Sequence, residues 1–289
     1  METSGGHCVL LPRVILYGTI FALGCIVGSF LNVCIYRLPR DRSVVAPPSH
    51  CPQCGARLRA FDLVPLFSFL ALGRKCRFCG GPIGWRYFLV EFITGAIFVA
   101  AWFACGQSAQ VLPYWIFASA IIAVVFTDLD HMIIPDSLVV AALVAAVLGE
   151  AISVLTGHDR LLSVRLPGTE LALPRVVAGG IAGLVVFIGM RAFSQLLFRR
   201  EGMGLGDVKL AGAIGAMLGP GLALLSFGLA VAAGAILGIG LIALRIRRRM
   251  EYLPFGPFLA VASLVALLAP VYLVSSSRAL YERWLEFFM

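Results

Sequence analysis

The chain has 289 residues, 60% of them hydrophobic and 13% charged. A soluble domain is about half apolar and about a quarter charged, so this composition excludes an ordinary soluble fold and points to a polytopic membrane protein. The net charge of +8 reports topology, because the basic residues gather in a few loops and no nucleic-acid-binding motif accompanies them.

A membrane-crossing helix needs about 20 mostly apolar residues. Residues 14–36 are the first candidate. No strong basic run precedes them and no small-residue cleavage site follows, so the segment reads as a retained span and not a signal peptide. It carries Gly24, Gly28, Ser29 and Asn32, which suit close helix packing and interhelical hydrogen bonds. Pro39 stops it. Residues 37–87 form the one large polar segment, with Arg37, Arg40, Arg42, Arg57, Arg59, Arg74, Lys75, Arg77 and Arg86 against only Asp41 and Asp62. The positive-inside rule makes this segment cytoplasmic. Its apolar stretch 63–72 is too short to span and is expected as part of a small cap or an interfacial piece.

Residues 88–104 lead outward, with Glu91 near the inner end; spacing leaves it either a packing glutamate or a site residue. Residues 112–127 return, and 128–136 lie at the cytoplasmic edge. Residues 137–155 go out, and 156–174 make the longest external loop, polar and mixed in charge. Residues 175–198 come in and stop at Arg199-Arg200. Residues 207–218 are short for a crossing and read as a half-helix or a helix bent at Gly219-Pro220. Residues 222–244 return to the cluster Arg245 to Arg249, and 255–274 leave again. The last stretch, 276–289, with Trp284 and Phe287, reads as an amphipathic tail at the outer interface. The expected architecture is all-α with about eight transmembrane segments. Its parts are a first helix (14–36), a cytoplasmic zinc-binding domain (37–87), a membrane core (88–275) and the tail (276–289).

Two acidic stretches fall on the side where the dense basic clusters lie. Thr127-Asp128-Leu129-Asp130-His131 closes one apolar helix, and Gly202-Met203-Gly204-Leu205-Gly206-Asp207-Val208-Lys209 opens another. An ionisable residue at the mouth of a hydrophobic segment marks a functional site by default. Asp128 is the carboxylate nearest the apolar side. Asp130 reads as a solvated edge residue, Asp136 as an N-cap of the next helix, and His131 as an interfacial polar group. Two aspartates sharing a partly dry site cannot both ionise easily, so one stays protonated while the other is charged. Such a pair can activate a water and protonate a leaving amine, which is aspartic-peptidase chemistry. The competing reading of Asp128 and Asp207 is an ion pathway or a structural role. Gly204 and Gly206 leave room for another backbone to approach. They follow no β-strand of a βαβ unit, which argues against a nucleotide-binding loop. Lys209 reads either as a snorkelling lysine or as a partner for an acidic group of a substrate.

The eight cysteines divide evenly. Cys8, Cys25, Cys34 and Cys105 lie in or near apolar runs and read as small hydrophobes. Cys51-Pro-Gln-Cys54 and Cys76-Arg-Phe-Cys79 make two CxxC knuckles, each followed by glycine. That pattern on the reducing side of a membrane reads as a closed, structural four-cysteine zinc site. Metal would hold together a loop too small to build its own core.

These residues resemble the bacterial type 4 prepilin peptidases, the prepilin leader peptidase/N-methyltransferases. The stretch from Gly28 to Pro39 resembles the family's N-terminal signature. Ser49 to Cys54, Cys76 to Cys79 and Trp85 to Glu91 follow its cytoplasmic domain, and Asp128 to Asp136 and Gly204 to Lys209 match its two catalytic stretches. The resemblance implies an inner-membrane aspartic endopeptidase with its active site on the cytoplasmic side. It would cut the basic leader of type 4 prepilins and type II secretion pseudopilins after a glycine, then methylate the new N-terminus with S-adenosylmethionine. It places the catalytic role on Asp128 and Asp207 and zinc on Cys51, Cys54, Cys76 and Cys79. Rival readings are a transporter or channel, which would put carboxylates near the midplane of an inverted repeat, and a zinc-bearing scaffold without catalysis.

Overall fold

In the computed structural model, residues 6–105, 108–157, 161–166, 169–198, 203–244 and 254–268 are described. The amphipathic tail, Gly202, Arg199-Arg200 and the basic cluster 245–249 lie outside them. The apolar runs fold as helices, and the chain divides into two units, Met1–Gln107 and Ser108–Met289.

The first unit is built on α1 (Gly6–Arg37) and α3 (Trp85–Cys105), which pack together. Small residues let them approach. A Cβ placed on Gly24 would lie 2.7 Å from the Gly95 Cα, and one on Gly28 would lie 2.7 Å from the Glu91 Cα. In a lipid environment such close backbone contact replaces the missing hydrophobic drive for helix association. Between the two helices the polar segment forms a cap of short turns with one small helix, α2 (Phe67–Ala71). Phe69 of α2 is buried against Trp85 and Phe88 of α3, with ring centroids 5.4 and 5.3 Å away. The apolar stretch 63–72 therefore serves the cap, as its length predicts. Arg37 ends α1 by donating to the carbonyls of Ser43 and Pro47 at 2.9 and 2.7 Å, so its buried guanidinium is spent on the loop that follows.

The second unit contains α4 (Val111–His131), α5 (Asp136–Leu155), α6 (Arg175–Phe198), α7 (Leu205–Leu218), α8 (Pro220–Ala243) and α9 (Gly256–Leu268). Its centre is α7, which touches α5, α6, α8 and α9. Leu210, Ala211, Ala213 and Ile214 of α7 have no solvent exposure. Gly179 and Gly183 on α6 face Gly215 and Ala211 on α7 so closely that a Cβ on either would collide with a backbone carbonyl. The interior is rich in alanine, whereas Val140, Val185, Ile188, Ile236 and Ile239 are exposed. Large apolar side chains outside and small ones inside are the arrangement lipid favours.

The protein is mostly helical and polytopic. Six described helices are long and apolar enough to cross a membrane: α1, α3, α4, α5, α6 and α8. The other two expected segments are shorter where they are described. Helix α7 has 14 residues, about 21 Å at 1.5 Å per residue, against about 30 Å of hydrocarbon. It ends at Leu218 and does not bend through the glycine. Gly219, at φ 76°, is the single residue between it and α8. The sequence reads residues 156–174 as the longest external loop. Within it an antiparallel hairpin forms from β1 (Leu161–Leu166) and β2 (Thr169–Pro174), with Leu161 paired to Pro174 and Leu166 to Thr169. The period-2 run Leu162, Val164, Leu166 carries that signal.

Candidate active site

Helix α4 remains helical through His131, which places Asp128 in its last turn with only 6% exposure. Met132 then adopts the left-handed conformation (φ 53°) and donates its N–H to the Asp128 carbonyl at 2.8 Å, closing the helix. A short link through Pro135 leads into α5. On the other side, Gly204 caps α7, and Asp207 sits in its first turn, where a carboxylate favours the helix N-terminus. The Gly204 N–H donates to Asp207 Oδ2 at 3.3 Å, which turns that side chain back over the helix start.

The two ends meet. Asp128, Met132, Ile133, Ile134 and Asp136 from the α4–α5 corner line one cavity of about 270 Å³ with Gly204, Gly206, Asp207 and Lys209 from the start of α7. The five residues singled out in the two acidic stretches, Asp128, Gly204, Gly206, Asp207 and Lys209, therefore share one place. Asp130 is exposed outside it.

Three details differ from the sequence reading. Asp136 is not an N-cap: Pro135 holds that position, and Asp136 is the first helical residue. The proline ring leaves α5 no cap side chain, which frees the Asp136 carboxylate to accept from Lys209 Nζ at 2.8 and 3.0 Å. Lys209 is thus an ion-pair partner within the chain, tying the start of α7 to the start of α5. The space beside Gly206 is filled by Ile134, whose Cβ would lie 3.1 Å from an added methyl, while the nearest atom to one on Gly204 is Asp207 Oδ2, 3.5 Å away. Gly206 thus makes room for the chain's own corner.

Gly256 is the site residue that the sequence reading missed. It opens α9, and a Cβ on it would lie 2.5 Å from Asp128 Oδ2. The available signal was Phe255-Gly256-Pro257, a glycine immediately before a proline at a helix start.

The first unit holds a second cluster. The four sulfurs of Cys51, Cys54, Cys76 and Cys79 lie within 4.8 Å of one another, a group that could hold a metal ion. Each knuckle is built the same way. The N–H of Gly55 returns to the Cys51 carbonyl and that of Gly80 to the Cys76 carbonyl, both at 2.9 Å, with φ of 71° and 69° at the two glycines. The amides of Cys79 and Phe78 point at the Cys76 sulfur and pull its thiol down to about 7. Four sulfurs around zinc at about 2.3 Å sit roughly 3.8 Å apart, so the donor set fits with small adjustments. Beside it Arg77 Nε pairs with Asp62 at 2.8 Å, and the Arg59 N–H donates to the same carboxylate at 3.1 Å. Burial pushes the Asp62 carboxyl up, but these donors outweigh it and hold it below the usual range.

Residues 22–105 match the family model described as the bacterial peptidase A24 N-terminal domain, and residues 115–239 match that of the type IV leader peptidase family. A prepilin leader peptidase/N-methyltransferase of Aeromonas hydrophila is 34% identical over 276 residues, spanning 87% of this chain and 90% of that protein. The chain belongs to the type IV leader peptidase family. A relative of the same name from Burkholderia pseudomallei strain 1026b is 36% identical over 292 residues, covering 91% of this chain and 89% of its own. One from Myxococcus xanthus is 38% identical over 199 residues, 69% of this chain and 55% of that protein. No solved structure matches. Within this leader peptidase, the four cysteines fall in the first matched region and both cavity aspartates in the second.

Proposed function

We propose that the chain is an aspartic endopeptidase of the bacterial inner membrane. It removes the basic leader of type 4 prepilins and type II secretion pseudopilins after a glycine, on the cytoplasmic side, and then N-methylates the new terminus with S-adenosylmethionine. The observation that carries the peptidase reading is that Asp128 and Asp207, far apart in sequence, line one small cavity at the ends of two helices. One carboxylate takes a proton from water as its oxygen adds to the scissile carbonyl. The other, protonated, returns a proton to the nitrogen as the C–N bond breaks. The pair acts as a unit, so neither role belongs to one residue. Gly204 and Lys209 support the site from the α7 side. The substrate, itself a hydrophobic helix with a polar leader, presents its scissile bond where its helix begins, at the depth of these helix ends.

Position favours this over transport: both carboxylates lie in terminal turns and not at the middle of a helix. The cap cysteines bind structural zinc in this reading. The test is leader removal from a prepilin by purified protein in detergent. Asp128→Asn and Asp207→Asn should each lower the rate by about 10³-fold or more while leaving helical circular dichroism unchanged. Either variant cutting at the wild-type rate removes that residue from the chemistry.

A further inference from the structure

Helix α3 has 21 residues, about 31 Å at 1.5 Å per residue, against about 30 Å of hydrocarbon. It has no length to spare, so Trp85 at its start stands at the membrane surface, where tryptophan is favoured. The short helix α2 is fastened to α3 at three heights. The Leu66 N–H donates to Glu91 Oε2 at 2.8 Å, and Glu91 lies six residues past Trp85, about 9 Å deeper along the helix. The Phe69 ring packs on Trp85 and Phe88. The Arg74 guanidinium lies 4.7 Å from the centre of the Trp85 ring. From Leu66 to Arg74 the chain therefore climbs from inside the hydrocarbon to its surface. Leu66 starts the climb at φ 59°, a backbone region that side-chain-bearing residues rarely occupy. Phe69 faces α3, whereas Phe67 and Leu70, three residues apart, share another side of α2 and are 68% and 65% exposed. Above them Arg74 and Lys75 are exposed. Residues 37–87 carry nine basic side chains against two acidic ones, and one of those acids, Asp62, is paired with Arg77.

We propose that α2 and the turn after it form a lipid-docking element, in which Phe67 and Leu70 insert among acyl chains while Arg74 and Lys75 bind the headgroups of anionic phospholipid. The surface is met side-on by a short re-entrant helix. Two features select lipid as the occupant. The exposed apolar pair sits at a depth where acyl chains and not water surround α3, and burying it there removes its apolar area from water. The cations at the upper end of α2 sit at headgroup height, where the negative surface potential of anionic lipid attracts them. The proposal is independent of the peptidase reading. It gives the sequence Phe67-Ser-Phe69-Leu70 a division of labour, one aromatic for α3 and the other for the leaflet. The two cysteine knuckles flank this element in the chain, so seating α2 in the leaflet fixes the height of the sulfur cluster above the membrane.

The experiment uses the full-length protein in nanodiscs of equal phosphatidylglycerol and phosphatidylcholine with identical acyl chains. The photoreactive residue p-benzoylphenylalanine replaces Phe67, Leu70 or, as a reference, the exposed Val185 of α6, one position at a time. Helical circular dichroism reports an intact fold, and intact-protein mass after illumination reads the adduct. Positions 67 and 70 should form phospholipid adducts in yields like that at 185. Adducts at 70 should favour phosphatidylglycerol about threefold or more, and the added pair Arg74→Gln, Lys75→Gln should bring that ratio to about one. Background yield at both 67 and 70 with adducts at 185, or crosslinks from both into protein, whether this chain or a second copy, overturns the lipid contact. Equal labelling by the two lipids before the arginine and lysine are replaced overturns the headgroup assignment. Each position is read separately, so one variant that fails to fold leaves the other to decide.

Discussion

Asp128 lies against a neighbour with no side chain. Its carboxylate fits beside Gly256 only because that residue carries no Cβ. Gly256→Ala puts a methyl 2.5 Å from Oδ2, so the carboxylate must rotate or α9 must retreat. A displacement of about 1 Å at a reacting group can cost on the order of 100-fold. We expect kcat for leader cleavage to drop by about that factor with KM little changed, measured on a purified prepilin. The Lys209–Asp136 pair is a different case. Both side chains are more than half exposed, at 51% and 71%, so the pair contributes under about 1 kcal/mol to stability. Its value is geometric, joining the two helix starts that bear the cavity. Lys209→Met should therefore leave the melting temperature nearly unchanged but slow cleavage. In a double-mutant cycle with Asp136→Asn the two losses should not add. Additive losses would show that the residues act separately.

At the scale of elements, α7 is a short helix surrounded by others, and its glycines set how near α6 can come. Gly179→Val drives two methyl groups into the Gly215 carbonyl and should destabilise the protein by about 1–3 kcal/mol, read as a lowered melting temperature in detergent. Gly228 on α8 has no atom within 4 Å of a Cβ position, so Gly228→Ala should be neutral or slightly stabilising by about 1 kcal/mol. The contrast separates crowding from a general intolerance of side chains. It also shows why sequence alone ranks glycines poorly. Gly204 and Gly206 look equivalent in the motif, yet only Gly206 is pressed by Ile134, a residue 72 positions away in the other acidic stretch. The hairpin of β1 and β2 was hidden for another reason. Six-residue strands inside a polar loop give a period-2 signal that is weak beside the 20-residue apolar runs around them.

For the whole molecule, the cysteine cap and the acidic cavity belong to separate units, and each can be broken without the other. The Cys51→Ser, Cys76→Ser double variant removes two of four thiolates and should lose stoichiometric zinc by metal analysis, because no closed site remains. Zinc retained at one per chain would contradict the assignment. The helical class, the membrane setting, the positions of the six long apolar helices and both chemical clusters were legible in the sequence. They depend on local properties: the length of apolar runs, the clustering of arginine, and residue types at fixed spacing. Tertiary structure alone decided the rest. It paired Lys209 with Asp136, brought Gly256 to Asp128, and tied Leu66 to Glu91. Each of these joins residues from different helices, and the distance between helices depends on how deeply their small residues let them pack.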